Sequence, residues 1–177
     1  GPPDGEMEQV ARTWLLRAGK RWRPFLTVAM HQALLDDPEQ SLSMDLQKVA
    51  IAVECFHKAS LIHDDIEDMD AERYGEEALH EEHGVAVALN VGDFLIGEGY
   101  RLLATCDAEA STKSAMLKVA AEGHRTLCRG QGTELAWTRQ PKVMQPIEVI
   151  NIFREKTAPA FEVSLRIGSL YAGEQEG

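Results

Sequence analysis

From Ser43 to Met69 the sequence carries no glycine or proline and sets Leu46, Val49, Ala50, Val53, Phe56 and Ala59 at helical intervals. That period gathers the apolar side chains into one stripe of a helix, and would scatter them over both faces of a strand. The segment is predicted to be a long amphipathic helix, with Ser43 or Asp45 able to cap its start. Similar patterning predicts helices over about Val85–Cys106, Ser111–Trp137 and Pro146–Tyr171, the last with proline in its first turn and Gly173 just past its end. Shorter helices are predicted at about Glu6–Ala18 and Pro24–Leu35. Asp70–Gly84 reads as a polar loop, and Arg139–Gln145 as an interruption too short to separate domains. No set of Val/Ile/Thr-rich alternating runs bounded by hairpin turns occurs. The expected fold class is all-α, a single-domain helical bundle over residues 1–177.

With 177 residues and 44% apolar content the chain is long enough to bury one core. Its 29 acids against 18 bases give a net charge of -11, which repels nucleic acid phosphates and anionic lipid surfaces. An anionic ligand must therefore meet a local basic cluster. Cys55, Cys106 and Cys128 are odd in number and form no CxxC pair, against both a disulfide framework and a zinc site, so reduced thiols and a cytoplasmic location are expected. No apolar run of the roughly eighteen residues that a membrane span needs occurs, and GPPDGEMEQV lacks the basic start and apolar run of a signal peptide. No integral membrane segment is expected. The chain opens on glycine rather than methionine and reads as a piece of a longer one.

Two charged clusters carry chemistry. Asp64-Asp65-Ile66-Glu67-Asp68 closes the long helix as a DDxxD pattern. At about 100° per residue, Asp64 and Asp68 share one face, and His57 falls on the same stripe. Oxygen ligands grouped this way suit Mg²⁺, which keeps several waters and takes one or two carboxylates plus substrate phosphates. Taken alone the acids also read as a solvated face. Helix C-termini disfavour anions, however, so acids massed there call for a compensating cation. The second cluster, Gly19-Lys20-Arg21-Trp22-Arg23-Pro24, sets three cations close together in an acidic chain, a natural diphosphate anchor. His80-Glu81-Glu82-His83 lacks the spacing of a zinc HExxH site.

These clusters stand in a recurring order. After Gly19–Pro24 come His57-Lys58-Ala59-Ser60-Leu61-Ile62-His63-Asp64-Asp65-Ile66-Glu67-Asp68 and Arg73-Tyr74-Gly75. Ala88-Leu89-Asn90-Val91-Gly92-Asp93, Gln131-Gly132-Thr133-Glu134 and Lys156-Thr157-Ala158 follow. The series resembles the polyprenyl synthetase (trans-isoprenyl diphosphate synthase) family from Gly19 to about Gly173. The resemblance implies an isoprenoid-synthase helical bundle and, as in that family, a homodimer. It implies a Mg²⁺-dependent prenyltransferase that joins an allylic prenyl diphosphate to isopentenyl diphosphate and releases pyrophosphate. By motif, Asp64 and Asp68 would hold Mg²⁺ with Asp65 in support. Arg73 and Lys156 would grip the allylic diphosphate, and Lys20, Arg23 and His57 that of isopentenyl diphosphate. Gln131, Glu134 and Thr157 would line the reaction centre. Ala59 and Ser60, just upstream of DDxxD, would leave the product channel open unless Phe56 closes it.

Three departures stand out. Tyr74 occupies the place of the family's second loop arginine. Glu134 replaces the aspartate expected after Gln131. The family's second Asp-rich motif should lie beyond Lys156-Thr157, and the sequence stops at Gly177 without it, so the C-terminal helices of the bundle are expected to be missing. Pro159 should kink the last helix. A regulatory or partner subunit that binds a prenyl diphosphate without turnover is the rival reading. A ferritin-like metalloprotein is a remoter one, lacking its Glu-x-x-His pairs.

Overall fold

The computed structural model describes residues 5–35 and 41–174, most of them helical. The ends of the expected 1–177 domain lie outside the described residues. Helices α1 (Glu6–Leu16) and α2 (Trp22–Ala33) precede α3 (Met44–Asp68), the long helix predicted from the Ser43–Met69 pattern. Ser43 caps α3, its Oγ accepting from the backbone N–H of Leu46 at 3.0 Å. Then come α5 (Val85–Thr105), α6 (Ala110–Arg139) and α7 (Pro146–Tyr171), the last with the predicted bounds. Pro159 is buried in α7, and the helix continues through it without interruption.

The segment read as a polar loop has structure of its own. Strands β1 (Glu72–Arg73) and β2 (Glu76–Glu77) pair antiparallel, and α4 (Leu79–His83) follows. Between the strands Tyr74 and Gly75 hold φ of 61° and 79°, as a tight hairpin requires. Asn-Gly is the usual signal for such a turn, and Tyr-Gly does not announce it.

α3 packs along α5, α7 lies against α6 and α2, and α1 rests on α5. Their buried stripes meet in a core of Trp14, Val49, Val53, Ile62, Leu95, Leu103, Met116, Val119 and Ile167. Each fully buried aliphatic side chain there contributes about 1.5–3 kcal/mol relative to exposure. The effect for function is that α3 is fixed along its length by apolar contacts, while its polar C-terminal turn emerges between α6, α7 and the hairpin.

Candidate active site

The last turns of α3 place Asp64, Asp65, Glu67 and Asp68 at the negative end of a helix dipole. The fold brings in the cations this calls for. Lys156 reaches over from α7, its Nζ lying 3.3 Å from Asp64 Oδ1 and donating to Glu134 at 2.6 Å. Arg73 of β1 donates through Nε to Asp65 Oδ1 at 2.6 Å and stands 3.8 Å from Asp64 Oδ2 and 3.3 Å from Asp70. Burial pulls Lys156 down, but the hydrogen bond to Glu134 and the charge of Asp64 outweigh it and hold the ammonium above its usual range.

The close crossing of α6 and α7 gives Lys156 its place. A β-carbon at Gly130 would lie 2.5 Å from the backbone nitrogen of Lys156, so only glycine lets the helices approach this far. Gln131, the next residue, is buried and donates to Glu67 at 2.8 Å. Glu134, one turn further, takes the Lys156 ammonium. Sequence reasoning missed Glu67, an unspecified position of DDxxD; its partner Gln131 is remote in sequence.

Asp65 is fully buried beneath Arg73, and its Oδ1 accepts from that guanidinium. Asp68 is raised above the carboxylate range, first by partial burial and then by the negative charge of Asp64, with Lys156 opposing. Asp64, Asp68 and Glu134 thus crowd around Lys156, leaving an excess of anionic oxygen. Among the described residues no cluster of three or more His, Cys, Asp and Glu forms a metal cage by itself. Asp64 and Asp68, two hard carboxylates one helical turn apart, nevertheless match the one or two that Mg²⁺ takes from a protein, so the donor set fits that ion.

Two turns back along the same face of α3, Arg23 donates from Nη1 to His57 Nε2 at 3.1 Å, and its guanidinium lies 4.9 Å from the Phe161 ring centre. Burial, then the charges of Arg23 and its neighbours, drives the His57 imidazole down to about 3, so it is neutral and serves as an acceptor for Arg23. Lys20 is exposed on the turn before α2 and does not line the cavity.

Between α3, α6 and α7 runs a cavity of about 330 Å³. Asp64, Glu67, Gln131, Lys156 and Thr157 contribute to its wall; Phe56, Ile96, Leu127 and Val163 give it an apolar lining. Ser60 also lines it, but Ala59 is turned into the core and does not. Phe56 stacks edge-on against Tyr100 with ring centres 4.9 Å apart. Of Phe56, Ala59 and Ser60, the first and last therefore face the cavity.

The sequence matches the model of the polyprenyl synthetase family over residues 4–177. It is 30% identical over 169 residues to the short chain isoprenyl diphosphate synthase of Methanocaldococcus jannaschii, covering 96% of this chain and 49% of that one. It is 32% identical over 162 residues to the farnesyl diphosphate synthase of Geobacillus stearothermophilus, covering 88% and 52%. Its structure aligns, at 26% identity and a TM-score of 0.89, with a geranyltransferase from Helicobacter pylori complexed with magnesium and isoprenyl diphosphate. That match covers 99% of this chain and 59% of the other. A helical bundle with paired acids and facing cations at the end of one central helix is of the isoprenoid synthase type. The chain belongs to the polyprenyl synthetase family. It spans about half the length of the curated relatives it matches.

Proposed function

We propose that this chain carries the DDxxD-bearing part of a trans-prenyltransferase site, in which an allylic prenyl diphosphate is joined to isopentenyl diphosphate. The observation that carries the reading is the stacking of a polar mouth on an apolar cavity: Asp64, Lys156 and Thr157 at one end, Phe56, Ile96 and Val163 along the wall. An amphiphile with a charged head and a hydrocarbon tail matches that division.

Arg73 and Lys156 bind the diphosphate of the allylic substrate, exchanging carboxylate partners for phosphate oxygens. Asp64 and Asp68 would hold Mg²⁺, which when bound supplies Lewis-acid stabilisation of the departing pyrophosphate. The carbon–oxygen bond breaks with its electron pair leaving on pyrophosphate, the double bond of isopentenyl diphosphate attacks the allylic carbon, and the resulting cation gives a proton to the pyrophosphate as its C–H pair forms the new double bond. The apolar wall keeps water from the cation. Arg23, steadied by neutral His57, and Lys20 from the adjacent turn take the diphosphate of the second substrate. Gln131, Glu134 and Thr157 frame the reacting carbons, with Gln131 fixed through Glu67.

A second copy of the chain is the proposed partner of Val85 and Leu89, exposed one turn apart on α5, and a particle mass of twice the monomer by light scattering is expected. No helix among the described residues is long and apolar enough to cross a membrane. The three cysteines are free thiols, in keeping with a proposed cytoplasmic setting.

The test is conversion of labelled isopentenyl diphosphate with geranyl diphosphate by the whole protein that contains this chain. A longer labelled prenyl diphosphate is expected with Mg²⁺ and not after Asp64→Asn. No product with Asp64 intact would overturn the reading. The 177-residue chain alone is expected to bind the allylic substrate but turn over slowly, because the second Asp-rich motif is not within it.

A further inference from the structure

Lys58 is fully buried on α3, next to His57. Its ammonium donates to the carbonyl oxygens of Arg17 at 2.9 Å and Ala18 at 3.0 Å, where α1 gives way to the turn that carries Gly19–Arg23. It also lies 4.5 Å from the ring centre of Tyr74, the residue after Arg73, and 5.5 Å from that of Trp14. Trp14 in turn donates Nε1–H to the Lys58 carbonyl at 3.0 Å. A buried cation is costly unless fully compensated, and two carbonyls with two aromatic faces are the compensation here. An apolar side chain would fill the same space without that cost, so the charge calls for a reason other than packing.

The reason lies in what the ammonium touches. One contact is the segment leading to Lys20 and Arg23; the other is the hairpin that presents Arg73. These segments approach α3 from remote parts of the sequence, and they bear the cations assigned to the two diphosphates. Further contacts tie them together: Arg17 donates to the Glu77 carbonyl at 3.0 Å and pairs with Glu76 at 3.1 Å. A β-carbon at Gly19 would sit 3.3 Å from the Tyr74 hydroxyl.

We propose that Lys58 is a positioning residue, tying the basic turn Gly19–Arg23 and the hairpin 72–77 to α3 so that one ammonium sets the spacing of both groups of diphosphate cations. The identity of the ligand rests on the prenyl-transfer reading above; the tether itself does not. The charged and titratable groups facing Lys58 are Arg17 just after α1, Arg21 from the turn, Glu54 and His57 from α3 and Tyr74 from the hairpin. Burial, then the charges of Arg21 and Arg17 against that of Glu54, brings the ammonium down to about 8. The tether is therefore charged at neutral pH and loses its charge in mildly alkaline solution.

Hydrogen exchange read by mass spectrometry tests this on the 177-residue chain. In Lys58→Met, of similar length but uncharged, hydrogen-bonded amides of both 17–25 and 70–77 are expected to exchange about tenfold faster, with α5 and α6 unchanged. Unchanged exchange in either segment overturns the tether. Wild type gives a second reading that needs no variant. After correction for intrinsic exchange rates, both segments are expected to lose protection together on going from about pH 7 to about pH 9; constant protection overturns the proposal. Affinity for inorganic pyrophosphate should fall about tenfold in Lys58→Met and with the same pH midpoint in wild type. Wild type that binds no pyrophosphate would count against the prenyl-transfer reading, while the exchange data would still decide the tether.

Discussion

The Lys156 ammonium on α7 stands 3.3 Å from Asp64 Oδ1 on α3, so the helix with the acids and the helix with Thr157 meet through one ion pair. Lys156→Met removes the cation and keeps the stem. Losing one charge-assisted contact to a phosphate costs about 1.5–3 kcal/mol, so allylic diphosphate binding should weaken about tenfold to a hundredfold by calorimetry. Unaltered affinity would place the diphosphate elsewhere.

Gly130→Ala tests the helix crossing that delivers that lysine. The new β-carbon meets the Lys156 backbone nitrogen at 2.5 Å, so α7 must move away from α6. Overpacking of this kind costs about 1–3 kcal/mol, read as a lower midpoint in urea, and the same variant should bind allylic diphosphate more weakly. Wild-type stability and affinity together would show that the crossing is slack.

His57 gives the protein an acid sensitivity that can be isolated. Its folded value of about 3 lies below the ordinary 6.5, so between those values the unfolded chain binds a proton that the folded chain does not. Stability from this group therefore rises with pH across that window and is lost as pH falls, on the order of 3 kcal/mol by about pH 4. Denaturant midpoints of wild type and His57→Gln should converge as pH falls through that window. Parallel curves would mean that His57 titrates normally.

How much of this is legible in the sequence depends on the range of the interaction concerned. α3 and α7 follow from periodicity and capping, which are local, and their bounds hold to within about a residue. The hairpin escaped because Tyr74 takes a left-handed conformation that an aromatic residue does not advertise. Asp65 lies about 100° around the helix from Asp64, which turns it toward Arg73 and into the protein. Lys58 interrupts the apolar pattern of α3 in plain view, but the partners that make its burial tolerable come from α1 and the hairpin, beyond the reach of any periodicity. Lys156 and Gln131 entered only through the order of motifs, since nothing local marks a residue of α6 or α7 as the neighbour of an acid on α3.

Phe56 tests the tail cavity. Ala59 is turned into the core, whereas Phe56 is a large apolar α3 side chain that shapes the wall upstream of Asp64, beside Val53, Ser60 and Leu61. Phe56→Ala removes a ring and should shift preference toward longer allylic diphosphates, with the ratio of affinities for twenty-carbon and ten-carbon substrates rising about tenfold. An unchanged ratio would mean that the tail leaves by another route.

The most direct measurement is calorimetric titration of the 177-residue chain with geranyl diphosphate, with and without Mg²⁺, in wild type, Asp64→Ala and Asp68→Ala. Saturable binding that depends on Mg²⁺ in wild type and is lost in both variants is the predicted result, because two carboxylates on one face of α3 are needed to hold the ion against the diphosphate. Binding that is equally tight and equally Mg²⁺-dependent in all three proteins would contradict it.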